Sequence, residues 1–274
     1  MQQYAKIDTP EIVSTLFNKP AEPLADCPEN AEDVEFVMED QIRLLCRLYP
    51  VGKEAPTLLF FPTGRQSINK YNAIAKNYVQ YGINLLVVSY RGCGRSEGNA
   101  GIGSMIGDLP FILRKTVNQL QEKKFKGPLF VMGESVGSAF AIEAAHVCFD
   151  DIKGVIIESG FCDTIPFLIG SGLDISKIGI SETDGFNNKD KIENIKLPTL
   201  ILHGARDTVV VPAQAETLQA SSGARNKQFF IIPGAEHDTV VKIGGALYFQ
   251  TIKTFIDTVS GVNTWRQRRR GIKK

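Results

Sequence analysis

Hydrophobic and polar positions alternate with period two over residues 34–38 and again over 42–48. The polar link Glu39-Asp40-Gln41 between them predicts an opening β-hairpin. Short, mostly apolar runs follow at 57–61, 83–89, 128–132, 155–158, 199–202 and 229–232. Strands buried on both faces read this way, because neither face needs polar side chains. Apolar residues at helical spacing predict helices around 71–80, 106–121, 213–220 and 240–259, and a small-residue helical run covers 138–145. Strand–helix alternation after a hairpin implies an α/β fold, a doubly wound and mostly parallel sheet. Pro10, Pro20, Pro23 and Pro28 make residues 1–30 read as an irregular N-terminal arm. Residues 31–260 read as a single domain. Its insertion at about 161–197, interrupted by Gly170, Gly172, Gly179 and Gly185, is expected to form a small cap. Residues 261–274 form a basic tail with Trp265-Arg266-Gln267-Arg268-Arg269-Arg270, which reads as a solvated terminus that could at most touch an anionic lipid surface.

Chemistry enters at Gly133-Glu134-Ser135-Val136-Gly137, set between the apolar run 128–132 and the helical run 138–145. Strand, sharp turn and helix are what a G-x-S-x-G nucleophile elbow requires. A serine on so tight a turn is lifted out of the sheet only when residues two before and two after it carry no Cβ. Its hydroxyl then needs a base, usually a histidine oriented by a carboxylate. His146 lies eleven positions further along the same predicted helix, roughly 16 Å away at about 1.5 Å per residue, and is out of reach. His203 ends an apolar run, whereas His237 sits in the loop Pro233-Gly234-Ala235-Glu236-His237-Asp238 after the last predicted strand. Catalytic groups of open α/β sheets gather at such strand ends, so His237 is the expected base. Asp207, on the loop after residues 199–202, is the expected carboxylate, ahead of Asp163 and Asp238.

Composition narrows the class further. The chain has 274 residues, 43% of them hydrophobic, enough for a substantial core, and its net charge of +1 gives no pull toward nucleic acid. Cys27, Cys46, Cys93, Cys148 and Cys162 are scattered with no C-x-x-C pair, which suggests free thiols and no structural metal site. The first residues show no basic then apolar signal, and no run reaches the roughly 20 apolar residues of a membrane span. A cytoplasmic protein without metal or organic cofactor is the expectation.

The order Ser135, Asp207, His237 is that of α/β hydrolases. In addition, Ser89-Tyr90-Arg91-Gly92-Cys93-Gly94-Arg95-Ser96-Glu97-Gly98 resembles the D-Y-R-G-Y-G-R-S-E-G signature of α/β-hydrolase-fold serine hydrolases. The branch it is most similar to holds monoglyceride-lipase-like, serine-aminopeptidase-like and depalmitoylase-like members, and the resemblance runs from about residue 34 to 255. It implies a serine hydrolase that cleaves an ester or thioester of a small or acyl-chain substrate through an acyl-enzyme. A peptidase or amidase of the same fold, or an inactive binding or scaffold member, is the alternative. One departure is Pro62-Thr63-Gly64 where the family usually has His-Gly-x. The oxyanion-hole role then falls to the backbone N–H of Gly64, or of its neighbour Arg65, together with that of Val136. Cys93 replaces the usual aromatic. Arg65 is expected either to face solvent or to pair with an anionic substrate group, and Phe161 and Phe167 either to line an acyl pocket or to pack the cap onto the core.

Overall fold

The structure is a computed structural model that describes residues 4–17, 26–66, 68–147 and 150–262. The basic tail therefore lies outside the described residues, apart from Gly261 and Val262. Eight strands form one sheet: β1 (Glu32–Val37), β2 (Arg43–Tyr49), β3 (Thr57–Phe61), β4 (Asn84–Val88), β5 (Leu129–Glu134), β6 (Ile152–Glu158), β7 (Thr199–Gly204) and β8 (Lys227–Ile232). They stand in the order β1-β2-β4-β3-β5-β6-β7-β8. The hairpin β1–β2 is antiparallel, β2 meets β4 antiparallel, and β4 through β8 run parallel. This is the doubly wound, mostly parallel sheet that the alternation predicts. β3, β4, β5 and β7 are buried at every position, which explains their unbroken apolar runs.

Helices cover both faces. On one side lie α1 (Pro10–Leu16), α3 (Ile102–Glu122), α4 (Val136–His146), α6 (Asn188–Asn194) and α7 (Pro212–Ser221). On the other lie α2 (Lys70–Gln80) and α8 (Val240–Val259). Between β6 and α6 the chain forms α5 (Thr164–Gly170) and two single turns, Ile175–Lys177 and Glu182–Asp184. None of the described helices is long and apolar enough to cross a membrane.

The N-terminal segment corrects the expectation of an irregular arm. Pro10 opens α1 instead of breaking it, because the first helical position has no intrahelical use for an N–H. The Thr9 side chain caps the helix by accepting from the Ile12 N–H, and Ile12 and Leu16 are buried. Just before it, the Asp8 carboxylate accepts from the N–H groups of Ile102 (2.7 Å) and Gly103 (3.0 Å). A carboxylate there satisfies free donors and meets the positive end of α3, so α3 begins four residues earlier than its apolar period indicates.

Candidate active site

Local sterics place Ser135. It leaves β5 with φ 55° and ψ −120°, backbone that L-residues rarely adopt, and α4 begins at the next residue. A Cβ on Gly133 would lie 2.0 Å from the carbonyl oxygen of Gly137, and one on Gly137 would lie 2.1 Å from that of Phe61. Both flanking glycines are thus demanded by backbone packed on backbone. The turn is further held by the Ser135 N–H, which donates to the Glu158 carbonyl at 2.9 Å.

The tertiary fold brings the other two candidate residues to this hydroxyl. His237 Nε2 lies 2.8 Å from Ser135 Oγ, and His237 Nδ1 lies 2.8 Å from Asp207 Oδ2. Asp207 is buried, and its Oδ1 accepts from the N–H groups of Val209 (3.0 Å) and Val210 (2.8 Å). One carboxylate oxygen is therefore fixed by backbone while the other faces the imidazole. Such a chain can draw the serine proton to the ring and hold the resulting imidazolium against a buried negative charge.

The rejected candidates sit elsewhere. His203 is fully buried and donates from Nε2 to the Val210 carbonyl at 2.8 Å, while its Nδ1 has no partner among the described residues. Burial pushes its pKa down, so the ring is neutral and its 3.4 Å approach to Asp207 is not an ion pair. It braces the Asp207 loop. His146 is the last residue of α4. Asp163 precedes α5 and accepts from Gln214 Nε2 at 3.2 Å. Burial pushes the Cys46 and Cys162 thiols up to about 12, so neither supplies a thiolate at neutral pH.

A cavity of about 140 Å³ opens at Ser135 and His237. Val136 lines it from the first position of α4, where backbone N–H groups have no intrahelical partner. Thr63 and Arg65 also line it, whereas Gly64 turns its Cα toward α1. Arg65 is exposed, as the solvent-facing expectation has it, and it also makes two contacts that the sequence does not announce. Its Nε donates to the Thr15 carbonyl (2.9 Å) and its Nη2 to the Ser171 carbonyl (3.2 Å), so two protein carbonyls orient the guanidinium at the surface. Phe167 lines the cavity, but Phe161 does not. Phe161 is fully buried, stacked under Phe167 at 4.0 Å and edge-on to Phe186, and belongs to the core.

Sequence reasoning missed Leu16, which reaches the cavity from α1, and a polar network behind the elbow. Glu134 and Glu158 are register partners at the ends of β5 and β6, and each precedes a serine with positive φ. The repeated Glu-Ser at 134–135 and 158–159 was the available signal. Tyr71 of α2 donates to Glu134 at 2.8 Å, Tyr248 of α8 donates to Glu158 at 2.6 Å, and the Tyr78 hydroxyl meets that of Tyr248 at 3.1 Å. Lys70 Nζ stands 3.9 Å from Glu134. Burial first, then the charge of Glu134, pushes Glu158 from 4.5 up to about 8, against the opposing pull of Tyr248 and Lys70. The folded state thus keeps a proton that the unfolded chain gives up between those two values, so stability falls as pH rises through that window. Thermal unfolding followed by circular dichroism should show Tm decreasing from about pH 5.5 to pH 8, and Glu158→Gln should remove most of that slope. An unchanged slope in the Gln variant would exclude Glu158 as its source.

The strand order, with a serine on a strained strand-to-helix turn between β5 and α4, defines an α/β hydrolase, and the chain belongs to the hydrolase family described as serine aminopeptidase, S33. The profile of that family matches residues 52–173 and 187–242. The chain is similar to Protein bem46 of Schizosaccharomyces pombe, with 32% identity over 207 residues that cover 73% of this chain and 67% of that protein. It is also similar to the alpha/beta hydrolase domain-containing protein WAV2 of Arabidopsis thaliana, with 27% identity over 82% of this chain and 78% of that one. Among solved structures, the esterase Pf2001 of Pyrococcus furiosus matches with a TM-score of 0.72 at 18% identity, over 88% of this chain and 98% of that one. A soluble variant of monoglyceride lipase from Saccharomyces cerevisiae, solved with a substrate analog, matches with a TM-score of 0.67 at 16% identity, over 89% of this chain and 99% of that one. At such identities the structural likeness carries the fold, not the substrate.

Proposed function

We propose that the chain is a serine hydrolase that cleaves small ester or thioester substrates. Ser135 attacks the carbonyl as His237 takes its proton, and Asp207 keeps the imidazole in the required tautomer. The tetrahedral oxyanion is met by the N–H of Val136 and by one from the loop at residues 64–65. His237 returns the proton to the leaving group, and a water, activated by the same ring, hydrolyses the acyl-enzyme. The observation that carries this reading is the unbroken chain of hydrogen bonds Asp207–His237–Ser135, with both links at 2.8 Å. An ester is the first reading by fold-level analogy alone, since the structural neighbours are an esterase and a monoglyceride lipase. The family description supports an amide as the second reading, and Asp238, at the cavity wall, offers a carboxylate for the α-ammonium of a peptide.

Two measurements test the proposal. A fluorophosphonate probe should label the wild-type protein and not Ser135→Ala, which also separates a hydrolase from an inactive scaffold of the same fold. Purified protein should then turn over 4-nitrophenyl esters or acyl thioesters faster than aminoacyl anilides. An unlabelled wild-type protein would refute the hydrolase reading, and faster anilide turnover would make the protein a peptidase.

A further inference from the structure

The geometry points to α1 and Arg65 as the elements that set acyl-chain length, limiting this site to short acyl groups of about two to four carbons. The inference rests on the hydrolase reading of Ser135. Besides Val136 of the elbow, three apolar side chains wall the cavity around the nucleophile: Leu16 from α1, Phe167 from α5, and Val209 from the loop after β7. An apolar cavity of about 150 Å³ takes one benzene ring, roughly six heavy atoms. At about 140 Å³, this one is open at its mouth and lined by polar as well as apolar groups, and its apolar part has room for a carbonyl group and a short tail.

The Leu16 wall is held in place by independent contacts. Leu16 and Phe17 are buried, and the Phe17 ring stands edge-on to Tyr90 at 5.7 Å. Beneath them, the loop after β3 carries Gly64, where a Cβ would lie 2.4 Å from the Leu16 carbonyl oxygen and 2.3 Å from the Phe17 ring. The end of α1 thus rests on bare backbone. Arg65, next along, ties Thr15 at that end to Ser171, one residue past α5. Its planar fork presents donors to two carbonyls from different elements, which the single ammonium of a lysine does not reproduce. Arg65, exposed at the cavity rim, thus joins two walls of the cavity from outside, and in this proposal a longer acyl chain has to part them.

The test is a chain-length profile, the ratio of kcat/KM for 4-nitrophenyl octanoate to that for the butyrate. Wild-type protein should prefer acetate and butyrate and lose about tenfold or more by octanoate, since even one methylene without space costs at least that factor. Leu16→Ala and Arg65→Ala should each raise the octanoate-to-butyrate ratio by about fivefold to tenfold, and Leu16→Trp should lower butyrate relative to acetate. Arg65→Lys should follow Arg65→Ala, because the clip needs the fork and not the charge. An octanoate-to-butyrate ratio unmoved in variants that melt as folded proteins would overturn the inference, as would a wild-type preference for octanoate. Failure to turn over any ester refutes the hydrolase reading instead. Equilibrium binding of butyrate and octanoate to Ser135→Ala, read by calorimetry, then decides the chain limit without turnover. Equal binding of the two acids overturns it.

Discussion

Ser135→Ala is expected to lower kcat by about 10³-fold or more, and His237→Ala by a similar factor. The reasoning is geometric. Oγ and Nε2 are 2.8 Å apart, so removing either end of that bond leaves nothing to generate the nucleophile. Because the residues act as one unit, the double variant should be scarcely slower than either single one, with a residual rate from the oxyanion donors and binding. His203→Ala is the control. Its ring is buried and bonded to the Val210 carbonyl, so its loss should appear in Tm before it appears in kcat. Steady-state kinetics on a 4-nitrophenyl ester checks all four proteins. Should His237→Ala retain activity within a few-fold while His203→Ala loses it, the base has been misassigned.

Gly137→Ala is expected to destabilise the fold by about 3 kcal/mol or more, at the upper end of overpacking effects. The added methyl would lie 2.1 Å from the Phe61 oxygen and 2.7 Å from that of Pro62, both backbone atoms that no rotamer change can clear. Either α4 or the end of β3 must move. A protein of this size should lose roughly 6 °C or more in Tm. Activity should fall as well, because Thr63 and Arg65, on the loop that follows β3, line the cavity. Gly107→Ala is the contrasting substitution. It is exposed within α3 with nothing within 4 Å of the added carbon, and should stabilise by about 0.5–1 kcal/mol through the lower entropy of the unfolded chain. A Gly137→Ala protein that melts with the wild type would refute the steric account of the elbow.

Much of the fold was legible because its rules are short-ranged. The run at 57–61 coincides with β3, and the hairpin, the nucleophile turn and the last helix all fall where period and turn chemistry put them. The elbow was readable for the same reason: the glycines at 133 and 137 answer to clashes within five residues or with the adjoining strand. α1 was misread because four prolines dominate its neighbourhood. Its stability comes from burying Ile12 and Leu16 and from contacts with residues 62–65 and 102–103, none of them local.

Arg65 marks the limit of such reading. Its partners, Thr15 and Ser171, lie 50 and 106 positions away, and no pattern around residue 65 announces a clip between them. Phe161 and Phe167 make the same point: both are apolar, close in sequence and buried in one core cluster, yet only Phe167 also reaches the cavity wall.

By itself, then, the sequence determined which backbone turns were sterically open and which polar residues stood at strand ends, because glycine placement and apolar period act over a few residues. Tertiary structure decided which of those residues meet. With β5, β6, β7 and β8 as successive neighbours about 4.8 Å apart, the loops after β7 and β8 reach the loop after β5. Distances of 2.8 Å between residues 102 and 30 positions apart arise only when the whole sheet is assembled. The cavity beside them is a property of packing alone, since its walls come from α1, α5 and a strand-end loop that no short stretch of chain contains.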